Sequence, residues 1–215
     1  MRRRDFTALA STLGGAALAT PALVQAQALV EGQQYRRLGQ ALAQPAGKIE
    51  VVEFFLYTCP HCYIFDPVLR EWLKHLPSDV VFRRVHVGYK PHARLFLTLE
   101  ALGQLGNLHE KVFDAFQRQR IIPESDEAAA DLAAKLGLDR AKFVQAQKSF
   151  SVEGKLAQNT KLAEAYGIQT VPALGVGGRF VTAPSMAGGA TEQESGGRAL
   201  VVVDQLIQRL RSGKA

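Results

Sequence analysis

Two cysteines, Cys59 and Cys62, stand three positions apart in FFLYTCPHCYIF, residues 54–65, with Pro60 and His61 between them. They are the only cysteines in a chain of 215 residues. Thiols at this spacing can hold a metal, staple a fold or exchange electrons. A structural zinc site needs about four protein ligands, and the sequence offers no second Cys-x-x-Cys and no closely spaced histidine pair to complete one. His75, His86, His92 and His109 are scattered over expected helices and a strand and read as ordinary surface or core residues. A bridge across four residues constrains little of the unfolded chain, about 2 kcal/mol in the chain-entropy picture. Redox exchange is the chemistry that this pair suits best.

The neighbouring residues predict how the pair is held. KIEVVEFFL, residues 48–56, is β-branched and aromatic with little alternation, as a strand buried on both faces should be. Thr58 can then cap a helix that opens at Cys59-Pro60-His61-Cys62 and runs through Trp72 to Leu76, with a kink at Asp66-Pro67. Pro60 falls in the first turn, where its missing N–H costs nothing. Cys59 is thereby expected at a helix N-terminus, where unpaired N–H groups and the macrodipole favour a thiolate. Cys62 lies one turn further in and is shielded, and His61 can add positive charge beside the thiolate. Glu53 places a carboxylate in the buried strand. Such a charge is costly unless paired, so it is either a salt-bridged acid on an edge or a functional acid whose pKa desolvation raises.

Composition sets the wider frame. With 47% hydrophobic residues the chain can bury a core without a staple. The formal charge of +6 falls to +4 once Arg2, Arg3, Arg4 and Asp5 are set aside. Arg36-Arg37 and Arg83-Arg84 read as solvated or alternating-face charges, so no nucleic-acid partner is expected. The three arginines precede an apolar, small-residue stretch and Ala26-Gln27-Ala28, the pattern of a cleaved signal over residues 1–28. Arg3-Arg4-Asp5-Phe6 also fits a twin-arginine export signal.

Further along, DVVFRRVHV, residues 79–87, is a second strand, giving a β-α-β unit. Five amphipathic helices are expected next, among them one capped by Ser125, one started by Asp139 and a longer one from Val152 to Gly167. Thr170-Val171-Pro172 leads into a hairpin with a Gly177-Gly178 turn. Residues 185–197 read as a mobile loop and residues 198–210 as a final helix.

VVEFFLYTCPHC, EGQQYRRL and IQTVPALGVGGRFV together resemble the DsbA family of periplasmic thiol:disulfide oxidoreductases, over most of the chain beyond the signal. The resemblance implies an α/β thioredoxin fold, residues 29–88 and 152–215, with a helical insertion domain over residues 89–151. It implies that Pro172 is cis and faces the disulfide, leaving the Thr170-Val171 backbone to pair with an extended substrate chain. It assigns Cys59 and Cys62 to a redox-active disulfide, with Pro60 and His61 tuning it, and Glu53 to relaying a proton for Cys62. It further implies that a monomer in the periplasm donates this disulfide to reduced exported proteins, and that a membrane quinone-linked partner resembling DsbB restores it. No flavin, nucleotide or metal signature appears, so no cofactor is expected. Two rivals stand beside this reading, an isomerase or reductase on the same fold and a metal carrier using both thiols as soft ligands. For an oxidase the reduced form should be the more stable at neutral pH, which requires Cys59 to titrate below about 5.5 if the thiolate is to outweigh loop closure.

Overall fold

The computed structural model describes residues 29–213, so the expected signal lies outside the described residues. Five strands form one sheet: β1 (Arg36–Arg37), β2 (Ile49–Phe55), β3 (Val80–His86), β4 (Ala173–Val176) and β5 (Phe180–Thr182), in the order β1-β5-β4-β2-β3. β2 pairs with β3 in parallel, and the other pairings are antiparallel. Helix α1 (Pro60–Leu73) makes the crossover between β2 and β3. Between β3 and β4 come α2 (Lys90–Ala101), α3 (Leu105–Gln117), α4 (Asp126–Lys135), α5 (Arg140–Gln147) and α6 (Phe150–Ala165). A short α7 (Pro184–Ala187) and a long α8 (Glu192–Arg211) close the described chain.

β2 is central, and its alternation sorts three cores. Val51 packs with α1 and α8; Val52 and Phe54, on the opposite face, meet Tyr166 and Val181; Phe55 reaches the helical core that holds Phe96, Phe113, Phe143 and Val152. Glu53 lies on the Val51 and Phe55 face. Ser125, Asp139 and Ser149 cap α4, α5 and α6 by accepting the N–H of the third residue on. α6 therefore starts two residues before the expected Val152. Its first half enters the helical core through Val152 and Leu156, and its second half packs Leu162 on the sheet. Between β4 and β5 the turn places Gly177 at φ +56° and Gly178 at φ +61°, the left-handed pair of a type I′ turn closed by the Arg179 N–H donating to the Val176 carbonyl.

Most of the expected loop, residues 185–197, is helical, in α7 and the start of α8, and only residues 188–191 lie outside both. α8 begins six residues before the expected start, capped by Thr191, whose side chain accepts from Glu194 N–H at 3.1 Å while Glu194 accepts from Ala190 N–H at 2.7 Å. This is a variant of the Thr-x-x-Glu capping pattern, with Glu194 reaching back to the residue before the cap. Gly196 and Gly197 look like helix breakers in the sequence, but Gly196 is where α8 meets α1. A Cβ there would stand 2.9 Å from the Phe65 ring, whereas one at Gly197 would meet nothing within 4 Å. The two glycines are accordingly expected to respond oppositely in urea denaturation. Gly196→Val should destabilise the protein by about 1–3 kcal/mol through overpacking, and Gly197→Ala should stabilise it by about 0.5–1 kcal/mol.

Candidate active site

The site begins where β2 ends. Tyr57, in the link to α1, is fully buried and held at each polar group. Its N–H donates to His86 Nε2 at 3.2 Å, its carbonyl accepts from Gln117 Nε2 at 2.6 Å, and its hydroxyl lies 2.9 Å from His109 Nδ1. Side chains from β3 and α3 thus satisfy a backbone that no strand neighbour reaches, and the link keeps one course. Burial pushes His86 down to about 3, so at neutral pH its Nε2 is free to accept. His86, His92 and His109 pack in this core, while His75 is exposed just beyond the end of α1.

The cap of α1 is Cys59, not Thr58, which is exposed. Cys59 is extended at φ −85°, ψ 115°, and its Sγ accepts the Cys62 N–H at 3.3 Å. The sulfur does for α1 what a serine or threonine oxygen does for other helices. Pro60 occupies the first turn, so the residue without an N–H sits where none is missed. α1 ends at Leu73, three residues short of the expected Leu76.

The two thiols titrate in opposite directions. Cys59 is lowered from 9.0 to about 6, first by the hydrogen bond from the Cys62 side chain, against the cost of its partial burial, and then by the Cys62 and His61 N–H groups and the His61 charge. Cys62 is fully buried. Burial, then its bond to Cys59 and the charge beside it, pushes its thiol far up. Cys59 Sγ also lies 3.6 Å from the Val171 carbonyl oxygen, and the Val171–Pro172 peptide is cis. Thr170, Val171 and Pro172 line one groove of about 430 Å³ together with His61, Phe65 and Pro184.

Behind Cys62 lies a buried set of charges. Glu53, 1% exposed, accepts from Arg84 Nε at 2.8 Å, and Arg84 Nη2 donates to Asp66 Oδ1 at 2.9 Å. Arg70 lies 2.9 Å from the other Asp66 oxygen, and His109 Nε2 lies 3.4 Å from Oδ1. Burial raises Glu53 from 4.5 to about 7, against the pull of Arg84 and with a further push from Asp66. Burial would raise Asp66 as well, but His109, Arg84 and Arg70 together hold it below the usual carboxylate range. Glu53 is therefore salt-bridged, yet on a central strand and not an edge. Arg83 and Arg84 do face opposite ways, and Arg84 is largely buried instead of solvated.

Four residues of this site went unassigned in the sequence. Arg84, Asp66 and His109 carry no local signal, because each acquires its role from a partner on another element. Glu192, 3.0 Å from His61 Nδ1, was masked by the glycines that follow it; the Thr191-x-x-Glu194 cap was the available clue.

The DSBA-like thioredoxin domain family matches residues 84–196, downstream of both cysteines. Whole-length relatives extend the likeness across them. The thiol:disulfide interchange protein DsbA of Bordetella pertussis is 42% identical over 218 residues, covering 98% of this chain and all of that protein. That of Pseudomonas aeruginosa is 36% identical, covering 95% and 93%. The chain belongs to the DsbA family. The crystal structure of Pseudomonas aeruginosa DsbA superposes with a TM-score of 0.78 at 34% identity, covering 85% of this chain and 95% of that one. The fold is thus the thioredoxin-like DsbA fold, a mixed sheet with a helical insertion, and this DsbA-family chain is a thiol:disulfide oxidoreductase.

The Cys59 value shifts one expectation. In the fold Cys59 ionises from about 6, and in the unfolded chain only near 9.0. Its contribution to the reduced form is thus fully present above 9.0 and is lost as pH falls through about 6. At pH 7 it is of the same order as the ~2 kcal/mol that loop closure gives the oxidised form. The reduced form should therefore gain stability relative to the oxidised form as pH rises from about 5 to 9. Urea melts of both forms from pH 5 to 9 read this directly. A stability difference that does not change with pH would contradict a thiolate at Cys59.

Proposed function

We propose that this chain is a protein disulfide oxidase of the periplasm, exported by the signal in residues 1–28, monomeric, and acting on reduced exported proteins. The asymmetry of its two thiols carries the reading: Cys59 is partly buried with a lowered pKa, and Cys62 is fully buried with a raised one. A substrate thiolate attacks Cys59 Sγ of the Cys59–Cys62 bridge. The S–S bond breaks, and Cys62 departs with the electron pair and takes up a proton. Glu53, poised at about 7, is the buried acid able to give that proton and later to take it back. The second substrate thiolate then attacks the substrate sulfur of the mixed disulfide and expels Cys59. A thiol of low pKa leaves readily, so the exchange runs towards an oxidised substrate. Two electrons have passed to the enzyme, now a dithiol, and a membrane quinone-linked partner resembling DsbB removes them.

The substrate lies extended along the Thr170-Val171-Pro172 edge, its backbone pairing with Val171 beside the attacked sulfur. His61 and Pro60 keep the cap electropositive, His61 by charge and Pro60 by shaping the first turn. No helix among the described residues is long and apolar enough to cross a membrane. We also assign residues 29–88 with 152–215 to the thioredoxin-like domain and residues 89–151 to the helical domain, with α6 shared between their cores.

Cys62→Ser should form a stable mixed disulfide through Cys59 with an oxidised peptide, visible as a mass increase. Cys59→Ser should form none and should fail to oxidise a reduced two-cysteine peptide. Adduct formation in Cys59→Ser would place the attack at Cys62 and overturn the assignment. Glu53→Gln should fold and slow turnover at least about tenfold between pH 5 and 8. Its stability should also lose a pH dependence. The raised Glu53 pKa contributes stability below 4.5 that disappears as pH rises through about 7.

A further inference from the structure

We propose that Glu192 is a positioning residue for thiol exchange, anchoring the His61 imidazole at the start of α1 so that its charge serves the Cys59 sulfur. This rests on the reading of Cys59 as the attacked atom and adds a control on that same site.

The His61 side chain is 66% exposed, and its Nδ1 lies 3.0 Å from Glu192 Oε1, 131 residues away in sequence. Three features bring Glu192 there. Thr191 caps α8, which makes Glu192 the first helical residue. At that position the positive end of the helix dipole favours a carboxylate. Gly196, having no side chain, lets α8 close on the Phe65 ring of α1, so the first turns of both helices reach the same groove. That groove is lined by His61 and Glu192 together with Thr170, Val171 and Pro172.

The charged groups acting on His61 are Glu192 from α8 and the Cys59 sulfur at the start of α1. Glu192 raises the His61 pKa, by hydrogen bond first and then by charge, and Cys59 adds to the rise. The charged imidazole in turn lowers Cys59. Glu192 thus reaches the sulfur through the imidazolium. When a substrate thiolate expels Cys59, the departing negative charge meets a histidine whose charged form Glu192 favours. Because the pair is exposed, its effect is that of a surface ion pair, modest and weakened by salt.

The test follows both groups in the reduced, full-length protein. His61 is titrated by NMR of its ring protons and Cys59 by thiolate absorbance, in the unaltered protein, E192Q, E192D, H61Q and the E192Q/H61Q pair. E192Q should lower the His61 midpoint and reduce the thiolate-to-thiol ratio of Cys59 near pH 6 by about two- to fivefold, the span of an exposed ion pair. E192D should restore both. E192Q should leave Cys59 unchanged once His61 is already glutamine. The proposal is overturned if E192Q leaves the His61 midpoint in place, if it leaves or raises the thiolate ratio, or if it acts equally in the H61Q background. None of these outcomes alters the mixed-disulfide trapping of Cys62→Ser, so failure here is separable from failure of the oxidase reading.

Discussion

A single bond, from the Cys62 N–H to the Cys59 sulfur, organises the reactive end of this molecule. A helix must satisfy its first N–H groups, and here the acceptor is the atom that reacts. The cap therefore works best when the sulfur carries a negative charge, and the sulfur is most acidic when it caps. Everything nearby serves that reciprocity. β2 delivers the chain to the spot, Tyr57 fixes the link with backbone bonds to two other elements, and Pro60 starts the helix without wasting a donor. The Cys62 side chain adds its own bond to Cys59.

The same geometry separates the environments of two chemically identical groups. One sulfur stands at a groove, facing N–H dipoles and an imidazole; the other lies a turn deeper, among Phe55, Tyr57 and Phe113. Beneath it Glu53 and Asp66 share Arg84, and their other surroundings decide which of them is the more readily protonated. Asp66 has three cationic or donor partners and stays ionised, whereas Glu53 has Arg84 and full burial. With Arg70 and His109 also on Asp66, the shared Arg84 leaves Glu53 the acid closer to neutrality, as the proposed proton carrier needs to be.

What the sequence made legible was whatever is written locally. The β2 pattern, the cysteine spacing, the caps at Ser125 and Asp139 and the glycine turn each fit within a dozen residues, and each is found in place. The cis Val171–Pro172 bond was reached only through family resemblance, since an isolated Val-Pro reads as trans. The unread parts are those whose meaning lies in a distant partner. Two-residue β1 has no period to detect and exists only against β5. Gly196 means a breaker by itself and a contact surface opposite Phe65. Cys59 displaced Thr58 as the cap because the turn of the chain, held by Tyr57, placed the sulfur one residue further on. His109 became a member of the site through α3 alone, which sets it between Tyr57 and Asp66.

The two arginine pairs prove to mark the two margins of the sheet. Arg36-Arg37 is β1, and Arg83-Arg84 lies in β3, which pairs only with β2. Arg36 is turned to the Tyr166 and Gly167 carbonyls, and Arg83 bonds Glu50 and reaches Asn159 of α6. A strand at a margin has unpaired backbone groups that would template any sticky, half-unfolded polypeptide. Here one margin is only two residues long, and both are fenced by bulky cations committed to partners within the molecule. On the proposed function, a protein that handles chains before they have folded would meet such templating hazards at every encounter. Such fences would leave aggregation little purchase while the Thr170-Val171 stretch beside the sulfur, the proposed docking edge, lines an open groove.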